Sequence, residues 1–227
     1  QCGIEQVSLL VRHGTAKSIL PQIAAQLAVQ AVFTNHDDEP QSLARDATVQ
    51  AALATLGVAF HDFKDHVIFE RQEVLTLAGK PYSVFTPYKN AWLKKINPFY
   101  LKAYPVEKYA AALASRPPDE RQTVPTLAEI GFETTNLATL KIAPGSQGAA
   151  LLLEDFLGRM ARYQNNRDFP ALKGPSYLSV HLRFGTISIR QLAAKALAQA
   201  QTGCEGAATW LNELIWRDFY AQYLSKF

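Results

Sequence analysis

The sequence predicts an α/β domain built on a parallel sheet, followed by a connector and then an all-α domain. Three observations predict this. Short apolar strand-like runs alternate with amphipathic helical stretches as far as residue 96. Prolines at 98, 105, 117, 118, 125 and 144 then break every pattern between residues 97 and 145. From Ser146 onward strand signals stop and wide apolar helical faces take over. The expected divisions are 1–96, 97–145 and 146–227.

Val7–Arg12 is a short apolar run and reads as a buried strand. Lys17–Val29 places Ile19, Leu20, Ile23 and Leu27 at helical spacing. Ala31–Asn35 reads as the next strand, and Gln41–Leu56 as a second amphipathic helix stopped by Gly57, a natural left-handed terminator. Val58–His61 and Val67–Phe69 are short strand candidates. Strand–helix–strand order implies βαβ units and hence a parallel sheet. Thr86–Ile96 reads as a helix that Thr86 caps, with Pro87 at its first position. Beyond the connector and its short helices, Gly148–Tyr163, Ser188–Ala200 and Ala207–Leu224 read as helices. The loop Gln164–Ile187 is long, and a long loop between packed helices commonly carries function.

Composition narrows the class. Hydrophobic residues make up 48% and charged residues 19% of 227, a globular balance. No apolar run reaches the roughly 18 residues of a membrane span, and the opening Gln1-Cys2-Gly3-Ile4-Glu5 has no basic flank or apolar core of a signal peptide. Two distant cysteines, Cys2 and Cys204, imply neither a disulfide framework nor a zinc site, so a reducing, cytoplasmic setting and no metal are expected. Net charge is +3, with nine Lys+Arg against six Asp+Glu in residues 151–227. That mild basic excess points only weakly to a polyanionic partner.

Two stretches carry candidate chemistry. On a helix, Trp210, Glu213, Arg217 and Tyr220 are spaced three, four and three apart and share a face, with Trp216 and Phe219 on flanking stripes. An indole, a carboxylate, a guanidinium and a phenol on one surface suit stacking on flat heterocycles and bonding to their edges. The same residues also suit an ordinary helix, with Glu213 and Arg217 as a surface (i, i+4) pair and the aromatics as core. In "YQNNRDFPALKGPSYLSVHLRFGTIS", Tyr163 to Ser188, Gly174, Ser176 and Ser179 supply the backbone freedom and hydroxyls that can wrap a diphosphate, or merely make a turn. A third stretch, Arg12-His13-Gly14-Thr15, resembles the opening of a histidine phosphatase. The remaining histidines, His36, His61, His66 and His181, stand in no phosphatase-like context, so His13 is expected to be a turn residue.

Together "RDFPALKG", "YLSVHLRFGTIS" and "WLNELIWRDFY" resemble the flavin-binding domain of the DNA photolyase/cryptochrome family, in that family's order and spacing. "NHDDEPQSLARD" and "KPYSVFTPYKNAWLKKI" resemble its antenna domain, so the resemblance runs from about Val7 to the last residue. The last motif is most similar to microbial class I cyclobutane-dimer photolyases. The resemblance implies an incomplete Rossmann-like antenna domain, then the start of an all-α FAD-binding domain. It implies light-driven repair of cyclobutane pyrimidine dimers in UV-damaged DNA by electron transfer from reduced FAD, without a metal, a membrane or an obligate protein partner. The alternatives are a cryptochrome-like flavin photoreceptor and a non-catalytic remnant.

The resemblance also implies site residues. Tyr163, Pro175, Ser176, Tyr177, Leu178, Ser179 and Trp210 would contact FAD. Glu213 would hydrogen-bond the flipped dimer and stabilise its radical anion, as a carboxyl kept protonated by burial, and Trp216 would stack on the bases. Arg167, Arg217 and Tyr220 would meet DNA. Pro175 stands where the family often has Thr, and Tyr177 where Arg is usual. An antenna chromophore is a second implied cofactor, and Gln41-Ser42 in place of the Asn-Glu of folate-binding members counts against folate. Because family members begin earlier and extend past Phe227, the chain is expected to be a fragment that by itself binds flavin poorly or not at all. Its last helix is expected to leave an aromatic patch exposed, and so to self-associate.

Overall fold

The structure is a computed structural model that describes residues 9–104, 106–117, 124–140 and 142–226. Val7 and Ser8 of the expected first strand, Cys2, and the prolines at 105 and 118 lie outside the described residues. The first helix, α1, is Ala16–Gln26. Strand β1 is Ala31–Asn35 and helix α2 is Pro40–Thr55. Strand β2 is Ala59–Phe63. Helix α3 is Phe85–Lys95, and α4 is the short Pro98–Leu101. Three 3-10 turns follow, at Val106–Ala112, Ala128–Ile130 and Asn136–Leu140. Helix α5 is Gly145–Leu157 and α6 is Tyr163–Asn166, with a 3-10 turn at Met160–Arg162 between them. The last three are α7, Ser179–Arg183; α8, Ile189–Gln201; and α9, Glu205–Leu224.

Strands β1 and β2 pair in parallel, with Ala59 N–H donating to the Gln30 carbonyl at 3.0 Å and His36 N–H to that of Phe63 at 3.1 Å. Helix α2 makes the crossover that parallel pairing demands. Gly57 follows it at φ +70°, the left-handed position expected there. Leu9–Arg12, by contrast, has no strand structure.

The chain forms two compact units. One comprises Gln1–Val32, Arg45–Phe60 and Tyr104–Ile142; the other comprises Phe33–Ala44, His61–Ala103 and Ala143–Phe227. The first is built around Ala24, Val49, Leu53 and Val58, with Val29, Val32 and Phe60 against them. The second has a far larger core, drawn from the 68–74 segment and from α3, α5, α8 and α9, in which Trp92, Phe156, Leu192 and Ile215 are almost wholly buried.

Three expectations need correcting inside the second unit. Val67–Phe69 is buried but is no strand. The N–H groups of Ile68 and Phe69 donate to the Asp218 carboxylate instead of to a neighbouring strand. Helix α3 starts one residue before Thr86, behind Val84, which offers no side-chain cap. Pro87 therefore sits third in the first turn, where its missing N–H is harmless. The helix expected over Gly148–Tyr163 breaks at Gly158 into α5 and the 3-10 turn. Helix α8 agrees closely: Ser188 caps it, its hydroxyl accepting from Arg190 N–H at 3.2 Å.

Candidate functional site

Helix α9 is long, and its buried residues recur at three- and four-residue intervals: Ala207, Trp210, Leu211, Leu214, Ile215, Asp218, Phe219 and Gln222. That periodicity turns one face into the core and leaves its borders for chemistry. Trp210, 3% exposed, packs on Phe156 with centroids 4.7 Å apart, and Tyr163 meets Phe156 edge-on at 5.7 Å. On the border beside them, Glu213 Oε1 accepts from Arg167 Nη1 at 2.5 Å. The Arg167 guanidinium also lies 5.4 Å from the Tyr163 ring centre. Its pKa is raised, first by the bond to Glu213, while burial pushes the Tyr163 hydroxyl up. Tyr163 and Arg167 of one stretch are thus neighbours of Trp210 and Glu213 of the other. Glu213 is 35% exposed rather than enclosed.

One turn further on, Arg217 faces protein. Its Nη1 donates to the His66 carbonyl and its Nη2 to that of Leu182 at 3.4 Å. Burial lowers its pKa, and burial together with Arg217 lowers that of His66. Trp216 is half-buried in an aromatic box. Phe85 lies parallel to it at 3.7 Å and 6°, Phe219 meets its edge at 5.5 Å and 79°, and Tyr220 lies offset at 5.2 Å and 24°. Tyr220 is 61% exposed, whereas Phe219 and Trp210 are buried. The expected aromatic patch therefore shrinks to Tyr220, Tyr223 and the rim of Trp216.

The Gly174–Ser179 turn abuts this border. A Cβ on Gly174 would stand 2.4 Å from the Asn166 carbonyl oxygen and 3.0 Å from Arg167 N, so only glycine lets the turn close on that backbone. Arg159 holds the other side: its Nη1 donates to the carbonyls of Lys173 at 2.6 Å and Gly174 at 2.8 Å. Its Nε donates to Asp155, whose pKa is lowered by Lys173 and then by Arg159. Pro175 and Ser179 are exposed. Ser176 Oγ accepts from Leu178 N–H at 3.4 Å, and Leu178 is buried beneath the turn. Tyr177 adopts φ +57°, a left-handed backbone costly for a non-glycine residue, with its ring 5.8 Å from the Arg159 guanidinium.

Sequence reasoning missed Asp218, Gln222 and Arg159. Asp218 Oδ1 accepts from Ile68 N–H at 3.2 Å, and Oδ2 from Phe69 N–H at 3.0 Å and Trp92 Nε1 at 2.9 Å. Burial pushes its pKa up to about 6 against the pull of those three donors. Gln222 Nε2 donates to the carbonyls of Arg71 at 2.7 Å and Val74 at 2.8 Å. Nothing local marks Asp218 and Gln222, because their partners lie 126 to 151 residues away in the chain. Among the described residues no group of three His, Cys, Asp or Glu side chains could hold a metal ion, and no helix is long and apolar enough to cross a membrane. Aromatic walls, the Arg167–Glu213 ion pair and a hydroxyl-bearing turn suit holding a planar, phosphate-bearing ligand.

Residues 3–109 match the sequence profile of the DNA photolyase family. A deoxyribodipyrimidine photo-lyase of Halobacterium salinarum is 37% identical over 225 residues, covering 95% of this chain and 45% of that protein. The deoxyribodipyrimidine photo-lyase of Synechococcus sp. is 34% identical over 227 residues, covering 96% of this chain and 46% of that one. The fold resembles the crystal structure of a bacterial class III photolyase from Agrobacterium tumefaciens, with a TM-score of 0.79 at 24% identity over 96% of this chain and 45% of that one. The chain spans about half the length of the curated relatives it matches.

Proposed function

The chain belongs to the DNA photolyase family, and on that premise we propose that it carries part of a site for light-driven repair of cyclobutane pyrimidine dimers in DNA with reduced FAD. One observation carries the proposal. The closure of Gly174 on the Asn166–Arg167 backbone draws a hydroxyl-bearing turn up to the Arg167–Glu213 pair. The residues present fit a flavin dinucleotide, because the space a Cβ at Gly174 would fill is what lets the turn close beside the aromatic walls. Ser176, Ser179 and the first N–H groups of α7 are the donors for a diphosphate, and Pro175 and Tyr177 shape the turn that presents them. Tyr163, Leu178 and Trp210 form the apolar wall. When bound, reduced FAD supplies a photoexcitable electron donor.

The chain's own residues then bind and orient the lesion. Glu213, tethered through Oε1 to Arg167, turns Oε2 to the imide N–H of a flipped pyrimidine. Trp216 and Tyr220 offer stacking area for unpaired bases, and Arg167 draws in the phosphate backbone. Arg217, bonded to two carbonyls, holds α9 against the 66–74 segment and contributes its charge to the same border.

The test is a titration of FAD and of riboflavin, which lacks the diphosphate, with wild type and with Ser179→Asp at an exposed position. We expect saturable flavin quenching that weakens for FAD but not for riboflavin in the variant. On a thymine-dimer oligonucleotide under blue light, flavin-loaded chain is expected to restore thymine, and Glu213→Ala to abolish it. FAD binding indifferent to Ser179→Asp would overturn the site, and a loaded chain without repair would overturn the activity.

A further inference from the structure

Within the proposed site, Trp216 carries the stacking, yet what sets the plane of its indole lies elsewhere in the chain. The stretch "KPYSVFTPYKNAWLKKI", Lys80 to Ile96, contributes nothing to the flavin turn or the Arg167–Glu213 pair, but it contains Phe85. Phe85 opens α3, immediately after Val84 in extended backbone at φ −126° and ψ 134°. Behind it Tyr88 and Trp92 are buried, and Trp92 Nε1 is bonded to Asp218 of α9, so the start of α3 is a fixed mount. From that mount the Phe85 ring lies 3.7 Å from Trp216 at an interplanar angle of only 6°.

We infer that Phe85 is a positioning residue, whose ring backs one face of Trp216 and fixes the plane in which the indole is offered to a flipped base. Phe219 closes the box: it stands edge-on to Trp216 at 79° and to Phe85 at 74°, so rotation of the indole meets a ring edge on one side and a ring face on the other. Tyr88 in turn supports Phe219 at 5.3 Å. Exposed Tyr220 lies offset beside the indole at 5.2 Å and 24°, so the two rings make a pre-oriented aromatic ledge rather than a mobile side chain. Holding a stacking ring in its bound plane removes an ordering cost from binding, and that gain is specific to ligands that stack. The inference rests on the repair reading for the identity of the ligand, but not for the packing.

The experiment uses 5-fluorotryptophan-labelled chain, whose three tryptophans give three ¹⁹F signals, with Trp216 assigned from Trp216→Phe. Phe85→Leu should shift the Trp216 signal through loss of the ring current and leave those of Trp92 and Trp210 in place, and Phe85→Tyr should restore it. An unmoved Trp216 signal would overturn the inference. Affinities are then measured for oligonucleotides with and without one thymine dimer. The preference for the dimer should fall roughly fivefold in Phe85→Leu and recover in Phe85→Tyr. A shifted indole with unchanged preference would refute the positioning role. Should wild type show no preference for the dimer, the repair reading itself fails, and the ¹⁹F shift still decides whether Phe85 sets the indole. Phe85→Met replaces Phe85→Leu if the leucine variant loses its dispersed signals.

Discussion

Asp218 concentrates in one side chain the forces that join α9 to the segment before α3. Its two oxygens accept three buried N–H groups, so neither can be removed without leaving donors unpaired. Burial nonetheless dominates, lifting the carboxyl from its ordinary value of 3.8 to about 6. A folded-state pKa above the unfolded one means that the folded chain binds the proton more tightly. This group's contribution is therefore fully present below about pH 4 and is lost as pH rises through about 6, a change of about 3 kcal/mol. Asp218→Asn is expected to flatten the dependence of the urea midpoint on pH between about 4 and 6 relative to wild type. Parallel curves for the two proteins would show that the three N–H donors hold the group ionised after all. The Arg167–Glu213 pair calls for the opposite forecast. Both side chains are about a third exposed, so solvent screens their attraction. Arg167→Ala should change stability by less than about 1 kcal/mol while weakening binding of a dimer-containing oligonucleotide, and a large fall in melting temperature would contradict this.

At the scale of elements, α9 is placed by backbone contact as much as by side chains. A Cβ on Gly206, in its first turn, would stand 2.1 Å from the Met160 carbonyl oxygen and 2.5 Å from that of Ala161. Gly206→Ala should therefore cost about 1–3 kcal/mol through overpacking, read as a lower urea midpoint. A neutral substitution would mean that the turn before α6 yields freely. Elements that state their own reasons locally were legible in the sequence. Strand β1 has the predicted limits, α8 begins behind its capping Ser188, and α2 stops where Gly57 allows left-handed backbone. The 67–69 segment was not legible, because it is apolar like a strand yet spends its N–H groups on a residue some 150 positions away. The site shows the same division. Helical spacing put Trp210, Glu213, Arg217 and Tyr220 along one side of α9, but spacing carries no burial. Which of them would sink into the core, meet Arg167 or bond to carbonyls depended on neighbours that only the tertiary fold supplies.

For the whole molecule, the decisive fact is that the two compact units have unequal cores. Among the described residues the first has four buried apolar side chains in its cluster, Ala24, Val49, Leu53 and Val58. At about 2 kcal/mol for each larger side chain, their burial offers well under 10 kcal/mol before conformational entropy is charged against it. The second unit's cluster has twenty buried residues, several of them aromatic. A chain built this way has no reason to melt in one step, since the free energy of opening follows the local density of buried contacts. The three tryptophans, Trp92, Trp210 and Trp216, all belong to the second unit, so their fluorescence reports that unit alone. Far-UV circular dichroism reports both, including α1 and most of α2 in the first. On heating, ellipticity at 222 nm is therefore expected to start falling at a lower temperature than tryptophan emission shifts. Amides of α1 should likewise exchange with solvent faster than those of α9. Coincident melting curves with uniform exchange protection would instead make the two units a single cooperative body. In that case the buried Asp218 cluster would govern the stability of the entire chain, and the effect of Asp218→Asn would be visible in α1 as well as in α9.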